Sequence, residues 1–250
     1  MSGEPSRRPS WIFLALLAVT AGTGWALLAQ VGPPPIMAFL FVTAAWVVSL
    51  ALHEFAHALV AYRFGDRSVL YRGYLTLDPL RYTHVVYSLV LPLIFVLLGG
   101  IGLPGGAVFI DRSALRTRFA NAAVSAAGPL TNLTIAVVLA LALGLHPGGY
   151  SAFWAAVGYL LFLQVTATVL NLLPVPGLDG FGIVAPYLPT RWLATAGRIA
   201  PYGIFVLFVL LWIPAVNSAF FGVIFSLLNT LGVPPLLVAQ GDALYRFWLP

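Results

Sequence analysis

The chain has no cysteine and little charge, and both shortages limit what it can be. Without cysteine there is no disulfide framework, no thiolate nucleophile and no thiolate metal ligand, so nitrogen and oxygen must hold any bound metal. Charged residues make up 8% of the 250 residues, whereas hydrophobic residues make up 61% and the mean hydropathy is +0.98. This balance excludes an ordinary soluble domain and indicates an integral membrane protein.

Lysine is also absent, so all twelve basic residues are arginine. The net charge of +5 lies mainly in short segments between apolar runs. Arginines in such segments indicate how the chain is oriented in the membrane and do not indicate a nucleic-acid-binding surface. We therefore expect the lipid bilayer as a partner and no nucleic acid.

Six apolar runs approach or exceed the ~20 residues that a helix needs to cross a bilayer. They predict an all-α membrane protein with about six transmembrane helices, and the arginines between them place both termini in the cytoplasm. The fifth run is short. The runs are about 11–30, 36–62, 119–145, 151–173, 199–213 and 215–236.

The first run could instead be a cleaved signal peptide, because arginines precede it. Its apolar stretch is longer than the roughly 7 to 15 residues usual in signal peptides, which favours a retained helix. No repeat and no long polar linker divides the chain, so we expect one membrane domain over 1–250.

A seventh run, 85–103, is apolar but is interrupted by Pro92 and three glycines. Arginines on both sides of it are predicted to face the cytoplasm, so a full crossing would violate the positive-inside rule. We therefore expect a re-entrant segment, which a membrane protein tolerates where protein or a wet cavity satisfies its backbone. The following AVFI, 107–110, could be an edge strand that pairs with an extended substrate, or a plain buried loop.

Polar residues interrupt the second apolar run in the stretch LALHEFAHALVAYRFGD, 50–66. His53 and His57 are four residues apart, so on a helix their imidazoles lie on one face, one turn apart, and can bind one metal. Glu54 lies between them and can act as a base toward a water without being a ligand. Ionisable residues inside a bilayer are costly, so this triplet predicts a functional site rather than packing within the bundle.

A hydrolytic zinc site needs three protein ligands and one open position. Asp179, in NLLPVPGLDG at 171–180, is the candidate for the third ligand because it is predicted to emerge on the same membrane side as His53 and His57. Prolines and glycines prevent a regular helix there and let the segment turn back toward the second run. An aspartate beside glycine is by itself more often a turn former.

Three motifs together resemble the site-2 proteases, the intramembrane zinc metalloproteases. They are HEFAH at 53–57, GPLTN at 128–132 and NLLPVPGLDG at 171–180; FGD at 64–66 and LTLDPL at 75–80 are also similar to short bacterial members. The resemblance covers about 36–182, the expected catalytic core. The chain is expected to have neither a PDZ nor a CBS module.

The resemblance implies one Zn²⁺ per chain, bound by His53, His57 and Asp179. It implies that Glu54 is the catalytic base and that Asn171 positions substrate or stabilises the oxyanion. The implied function is hydrolysis of peptide bonds in transmembrane protein substrates, known as regulated intramembrane proteolysis. The implied location is the bacterial cell membrane, with the active site toward the cytoplasmic side; substrate identity and oligomeric state stay open.

The resemblance also gives Gly128, Pro129 and Asn132 a role in packing and substrate positioning. Small residues over 120–128 favour close helix approach, which a bundle that shields a metal requires. The remaining histidines are expected to lie outside the site: His84 in a loop and His146 at an external turn.

Two functions of other classes also use intramembrane polar residues. A metal transporter would spread its ligands along a path and show repeat symmetry, which this sequence lacks. A catalytically silent membrane scaffold would keep the fold, but silence usually follows loss of a ligand or base, and here all are present.

Overall fold

A helical bundle forms most of the computed structural model, which describes residues 8–82, 108–146 and 148–249. Helix α1 (Trp11–Leu28) begins where the Ser10 side chain accepts a hydrogen bond from the Phe13 amide at 3.2 Å. Helix α2 (Pro34–Arg63) begins at a proline, which is favoured in the first helical turn because the missing N–H is unpaired there anyway. Its 30 residues exceed the ~20 needed to span a bilayer, so α2 is long enough to cross a membrane with residues to spare.

Short elements follow α2 on the side where the histidine helix ends. They are α3 (Ser68–Tyr71) and 3₁₀ turns at Tyr74–Thr76 and Arg112–Ala114. The Ser10 amide donates to the Thr76 carbonyl at 2.8 Å, so the start of α1 is attached to this region. Together with the packing of α1 along α2, this contact makes α1 an integral part of the bundle.

Two further long helices complete the centre of the bundle. Helix α4 (Arg118–Leu143) is capped by the Thr117 side chain, which accepts from the Ala120 amide at 3.0 Å. Helix α5 (Ala152–Leu172) is 83% buried over its most apolar 18 residues, against 22% for α4, so α5 is the central helix. It packs against α2, α4 and the last helix of the chain.

The C-terminal third departs from the predicted boundaries. After a single turn of helix, α6 (Asp179–Val184), the helices α7 (Thr190–Ile199) and α8 (Gly203–Leu211) together form one apolar stretch where the sequence predicted a short span over 199–213. Helix α9 (Pro214–Thr230) ends before the predicted residue 236, and α10 (Pro235–Tyr245) turns away from it by 113°. Gly232 and Pro234 lie in the break and explain why the apolar run does not continue as one helix.

Helices long and apolar enough to cross a membrane number five in the described chain, or six if α9 and α10 count as one bent span. The predicted all-α membrane protein with about six such helices is confirmed. The predicted re-entrant segment 85–103 lies outside the described residues. No β-strand occurs over 8–82, 108–146 and 148–249, so the described part of AVFI, 108–110, is an irregular segment.

Candidate metal centre and active site

His53 and His57 lie buried on one face of α2, one turn apart as their spacing predicts, with relative exposures of 3% and 6%. Their Nε2 atoms are 3.1 Å apart. Each Nδ1 atom is engaged on the opposite side of its ring: that of His53 lies 2.7 Å from Asn132 Oδ1, and that of His57 lies 2.6 Å from the Val124 carbonyl oxygen. Both partners belong to α4, so α4 fixes the orientation of both rings.

These contacts decide which nitrogen of each ring is free. A carbonyl oxygen only accepts hydrogen bonds, so Nδ1 of His57 must donate to Val124, and Nδ1 of His53 donates likewise to the Asn132 amide oxygen. In the neutral imidazole the proton is then on Nδ1, and the lone pair is on Nε2. Two lone pairs therefore point into the same space, as in histidine metal sites whose outer nitrogen is held by an oxygen.

Asp179 completes a triangle of ligand atoms with the two histidines. Its Oδ2 atom lies 3.2 Å from Nε2 of His53 and 3.3 Å from Nε2 of His57. Zinc bound tetrahedrally at ~2.0–2.1 Å separates its ligand atoms by about 3.3–3.4 Å, so the three atoms fit one face of such a site. Nitrogen and carboxylate oxygen are both zinc ligands, and the fourth position stays open. The structure thus brings together the three residues that the sequence predicted as ligands.

Two glycines, one on each side of Asp179, determine the path of the chain there. Gly177 has φ +99°, a conformation that favours glycine, and a Cβ there would collide with the Ala200 carbonyl oxygen. Gly180 packs against the carbonyls of Leu172 and Leu173 so closely that a Cβ would overlap them. The chain can therefore fold back onto the end of α5 and direct Asp179 toward α2.

Glu54 lies beside the histidines with 2% of its surface exposed and is not one of the three clustered ligands. Its Oε2 atom accepts a hydrogen bond from the Val108 amide at 3.1 Å. The base predicted from the sequence is therefore positioned by the irregular segment that precedes α4. This contact could not be foreseen from the spacing of the HExxH residues.

Gly128 lies directly against the rings of His53 and His57. A Cβ on Gly128 would overlap the Nε2 atoms of both His53 and His57. The sequence predicted a packing role for Gly128 and for Asn132, and the structure refines both: Gly128 leaves room for the imidazoles and Asn132 holds one of them. Pro129 follows within α4 and has no N–H for the Ser125 carbonyl.

Other predicted residues are less closely connected to the cluster. Asn171 is buried, with 3% exposure, in the last turn of α5, and no hydrogen bond joins its amide to the three ligands within the described ranges. Its catalytic role stays a prediction. His84 lies outside the described residues. His146 accepts a hydrogen bond from the Gly148 amide at 2.7 Å, as suits a residue of a turn.

Asp66 is a site residue that the sequence reading did not single out beyond the FGD motif. It is 1% exposed, and its two carboxylate oxygens accept from the Ser68 amide at 2.9 Å and the Asp111 amide at 2.8 Å. Segment 108–111 is therefore held at both ends, by Asp66 through Asp111 and by Glu54 through Val108. A carboxylate directly after a membrane helix was the only signal in the sequence.

We expect Asp66→Ala to reduce substrate cleavage about tenfold while zinc content stays normal. The change removes the acceptor of two partly buried N–H groups, those of Ser68 and Asp111, and releases the segment that holds Glu54. Turnover and zinc per chain would be measured together with hydrogen exchange of the Val108 and Asp111 amides, which should accelerate. Unchanged exchange at these amides would show that Asp66 does not hold segment 108–111 in place.

Position 111 offers a matched pair of controls for the hydrogen bond between the Asp111 amide and Asp66. Asp111→Ala removes a side chain whose hydrogen bonds go to the neighbouring Ser113 and Ala114 but keeps the backbone amide that donates to Asp66, so cleavage should stay near the original rate. Asp111→Pro removes the amide donor at a residue whose φ of −76° suits proline, so it should reproduce the loss caused by Asp66→Ala.

A cavity of about 670 Å³ adjoins the cluster, and Asp179 is part of its wall. The Asp179 side chain is 23% exposed, whereas those of His53 and His57 are 4% and 8% exposed. The centre is therefore most accessible on the Asp179 side, where this cavity lies.

The bundle and its cluster define a multi-pass membrane protein with a buried His-His-Asp cluster that could hold a metal ion and an adjacent glutamate. The chain is similar to known proteins over most of its length. The family model for peptidase family M50 matches residues 41–153. The protein named zinc metalloprotease Rip2 of Mycolicibacterium smegmatis is 44% identical over 248 residues, which is 97% of this chain and 95% of that protein.

Two further relatives are also similar to the chain over most of its length. The Rip2 protein of a Mycobacterium tuberculosis strain is 46% identical, with the same coverage of 97% of this chain and 95% of that protein. The zinc metalloprotease YwhC of Bacillus subtilis is 30% identical over 74% of this chain and 85% of that protein. No solved structure matches the chain. The chain belongs to peptidase family M50, the site-2 proteases, and is an intramembrane zinc metalloprotease whose substrates are membrane proteins.

Proposed function

We propose that His53, His57 and Asp179 bind one zinc ion and that Glu54 is the general base for peptide-bond hydrolysis within the membrane. The observation that carries this assignment is the triangle of ligand atoms, with sides of 3.1, 3.2 and 3.3 Å, formed by two residues of α2 and the first residue of α6. Two parts of the chain separated by 122 residues, from 57 to 179, place ionisable side chains at one buried point, which is costly within an apolar bundle unless it has a function.

Zinc in this site would supply Lewis acidity, which polarises the scissile carbonyl and lowers the pKa of a water from 15.7 toward ~7. The Glu54 carboxylate takes the proton of the attacking water and returns a proton to the leaving amine nitrogen. The Val108 amide donates to Oε2 of Glu54, and no hydrogen bond to Oε1 occurs in the part of the chain that the structure describes, so we assign this transfer to Oε1. Asn171 donates a hydrogen bond to the developing oxyanion, a contribution of about 3 kcal/mol in comparable sites.

We further propose that the chain is one catalytic domain in the bacterial cell membrane, with both termini and the opening of the site on the cytoplasmic side. Arginines support this orientation. Residues 63–81 and 112–118, which border the site, contain seven of the twelve arginines, and these are expected to stay inside.

Metal content tests the ligand set. Detergent-purified protein should contain about one zinc per chain, and Asp179→Ala should lose most of it because two histidines alone leave the tetrahedron with two protein ligands. Zinc would be measured by mass spectrometry beside helicity by circular dichroism. Zinc retained unchanged in Asp179→Ala would remove Asp179 from the site, and well-folded wild type without metal would favour a silent scaffold.

A further inference from the structure

The cavity beside Asp179 has a strongly basic wall. Three arginines, Arg112, Arg116 and Arg118, line it, and Asp179 is the only acidic residue among its lining residues. Asp179 already faces the two histidines, so its charge is committed to the metal centre. The cavity therefore has an excess of positive charge directly beside the ligand cluster.

None of the three arginines forms an ion pair within residues 8–82, 108–146 and 148–249. The Arg112 guanidinium donates to Ser125 Oγ at 3.1 Å and to Asn121 Oδ1 at 3.3 Å, both on α4. These neutral acceptors hold it in position without neutralising it. Guanidinium groups bind carboxylates through charge-assisted, often bidentate, hydrogen bonds, so the wall is complementary to carboxylate groups.

Arg112 lies close enough to Asp179 for the charges of the two side chains to interact. Desolvation lowers the pKa of its guanidinium from the ordinary value, and the negative charge of Asp179 acts in the opposite direction. A polypeptide whose scissile bond lies at the cluster would have its neighbouring residues in this cavity, because the cluster is most exposed on this side. Lipid headgroups have no such reason to lie beside a ligand of the metal.

We propose that this cavity binds an acidic segment of the substrate polypeptide, a few residues from the cleaved bond. The inference rests on the proposed proteolytic function and specifies its substrate class: membrane proteins with aspartate or glutamate next to the cleavage region. The arginines then contribute to substrate affinity rather than to the chemical step, so their loss should raise KM more than it lowers kcat.

Binding is measured separately from cleavage by using the Glu54→Gln variant. Three fluorescent single-span peptides would differ only in a three-residue flank: Asp-Glu-Asp, its neutral isostere Asn-Gln-Asn, or Lys-Arg-Lys. In detergent, the acidic flank should bind roughly five- to tenfold more tightly than the neutral flank and the basic flank least tightly. The differences should shrink as salt rises, because exposed charges are screened.

Charge reversal distinguishes direct pairing from a general effect of arginine. Arg116→Glu should remove most of the preference for the acidic peptide, because the charge of the three arginine positions falls from three to a net one, and Arg116→Gln should reduce the preference less. Arg198→Glu is the matched control: Arg198 is exposed on α7, lies outside the cavity lining, and should leave the order unchanged.

Equal affinities for the three peptides, or no change with Arg116→Glu, would overturn the inference. It would also be overturned if cleavage in vesicles followed the fraction of anionic lipid rather than the charge of the flank. If active protein cleaved all three peptides at equal rates, the inference would fail and the proteolytic function would stand. If the binding order held but no peptide were cleaved, the acidic-segment site would stand and the proposed function would fail.

Discussion

Glu54→Gln should lower the rate of substrate cleavage by about 10²- to 10⁴-fold, the range typical for loss of a general base. Glutamine has nearly the same volume and can still accept the hydrogen bond from the Val108 amide, so segment 108–111 should keep its position. It cannot accept a proton from water. Loss of activity in this variant would therefore report the chemistry of one carboxylate rather than a change of fold.

Zinc content is the control for this prediction. Glu54 is not one of the three clustered ligand residues, so Glu54→Gln should contain as much zinc per chain as wild type. Cleavage of a single-span substrate would be followed in vesicles by gel, and zinc by mass spectrometry on the same preparation. Full proteolysis by a zinc-loaded Glu54→Gln variant would show that another group is the base.

The parts of the site that could be predicted from the sequence are those set by local geometry. A helix places residues four apart on one face, and that rule is enough to bring His53 and His57 together. Asp179 could be predicted because membrane topology restricts depth and side, and a loop rich in proline and glycine can turn back. The first prediction needs only local helix geometry, and the second needs only the membrane side and depth of Asp179, not its detailed packing.

The groups that orient the ligands could not be predicted in the same way. Asn132 and the Val124 carbonyl, which reach the Nδ1 atoms of His53 and His57, lie 79 and 67 residues further along the chain than these histidines. Their contacts depend on the register of α4 against α2, and hydropathy does not encode register. The amide of Val108, which donates to Glu54, belongs to an irregular segment whose path has no sequence period at all.

The errors at the C-terminal helices have a different cause. The average hydropathy over 215–236 stays high across Gly232 and Pro234, because neither residue is strongly polar. A helix nevertheless ends at such residues. The bend between α9 and α10 lets α10 return to pack on α5, where Gly241 lies against the Ala155 carbonyl. Apolar length alone therefore overestimated this span, and packing against α5 set the actual boundary.

Gly128→Ala should remove zinc from the protein almost completely and abolish cleavage with it. The added Cβ would occupy the space of the Nε2 atoms of His53 and His57, which are the atoms proposed to bind zinc. The rings cannot swing aside easily, because Asn132 and the Val124 carbonyl hold their Nδ1 atoms at 2.7 and 2.6 Å. We expect at least a hundredfold loss of zinc affinity, measured by competition with a chelator.

The expected loss of zinc is opposite in direction to the usual effect of a glycine-to-alanine substitution, which stabilises a helix. Alanine in place of glycine inside a helix normally stabilises it by ~0.5–1 kcal/mol, so a loss of zinc from Gly128→Ala must come from the collision at the metal centre. Gly222→Ala in α9 is the matched control, since a Cβ there meets nothing within 4 Å and zinc should be retained. A Gly128→Ala protein with one tightly bound zinc and normal cleavage would mean that the histidines bind the metal in an arrangement other than this triangle.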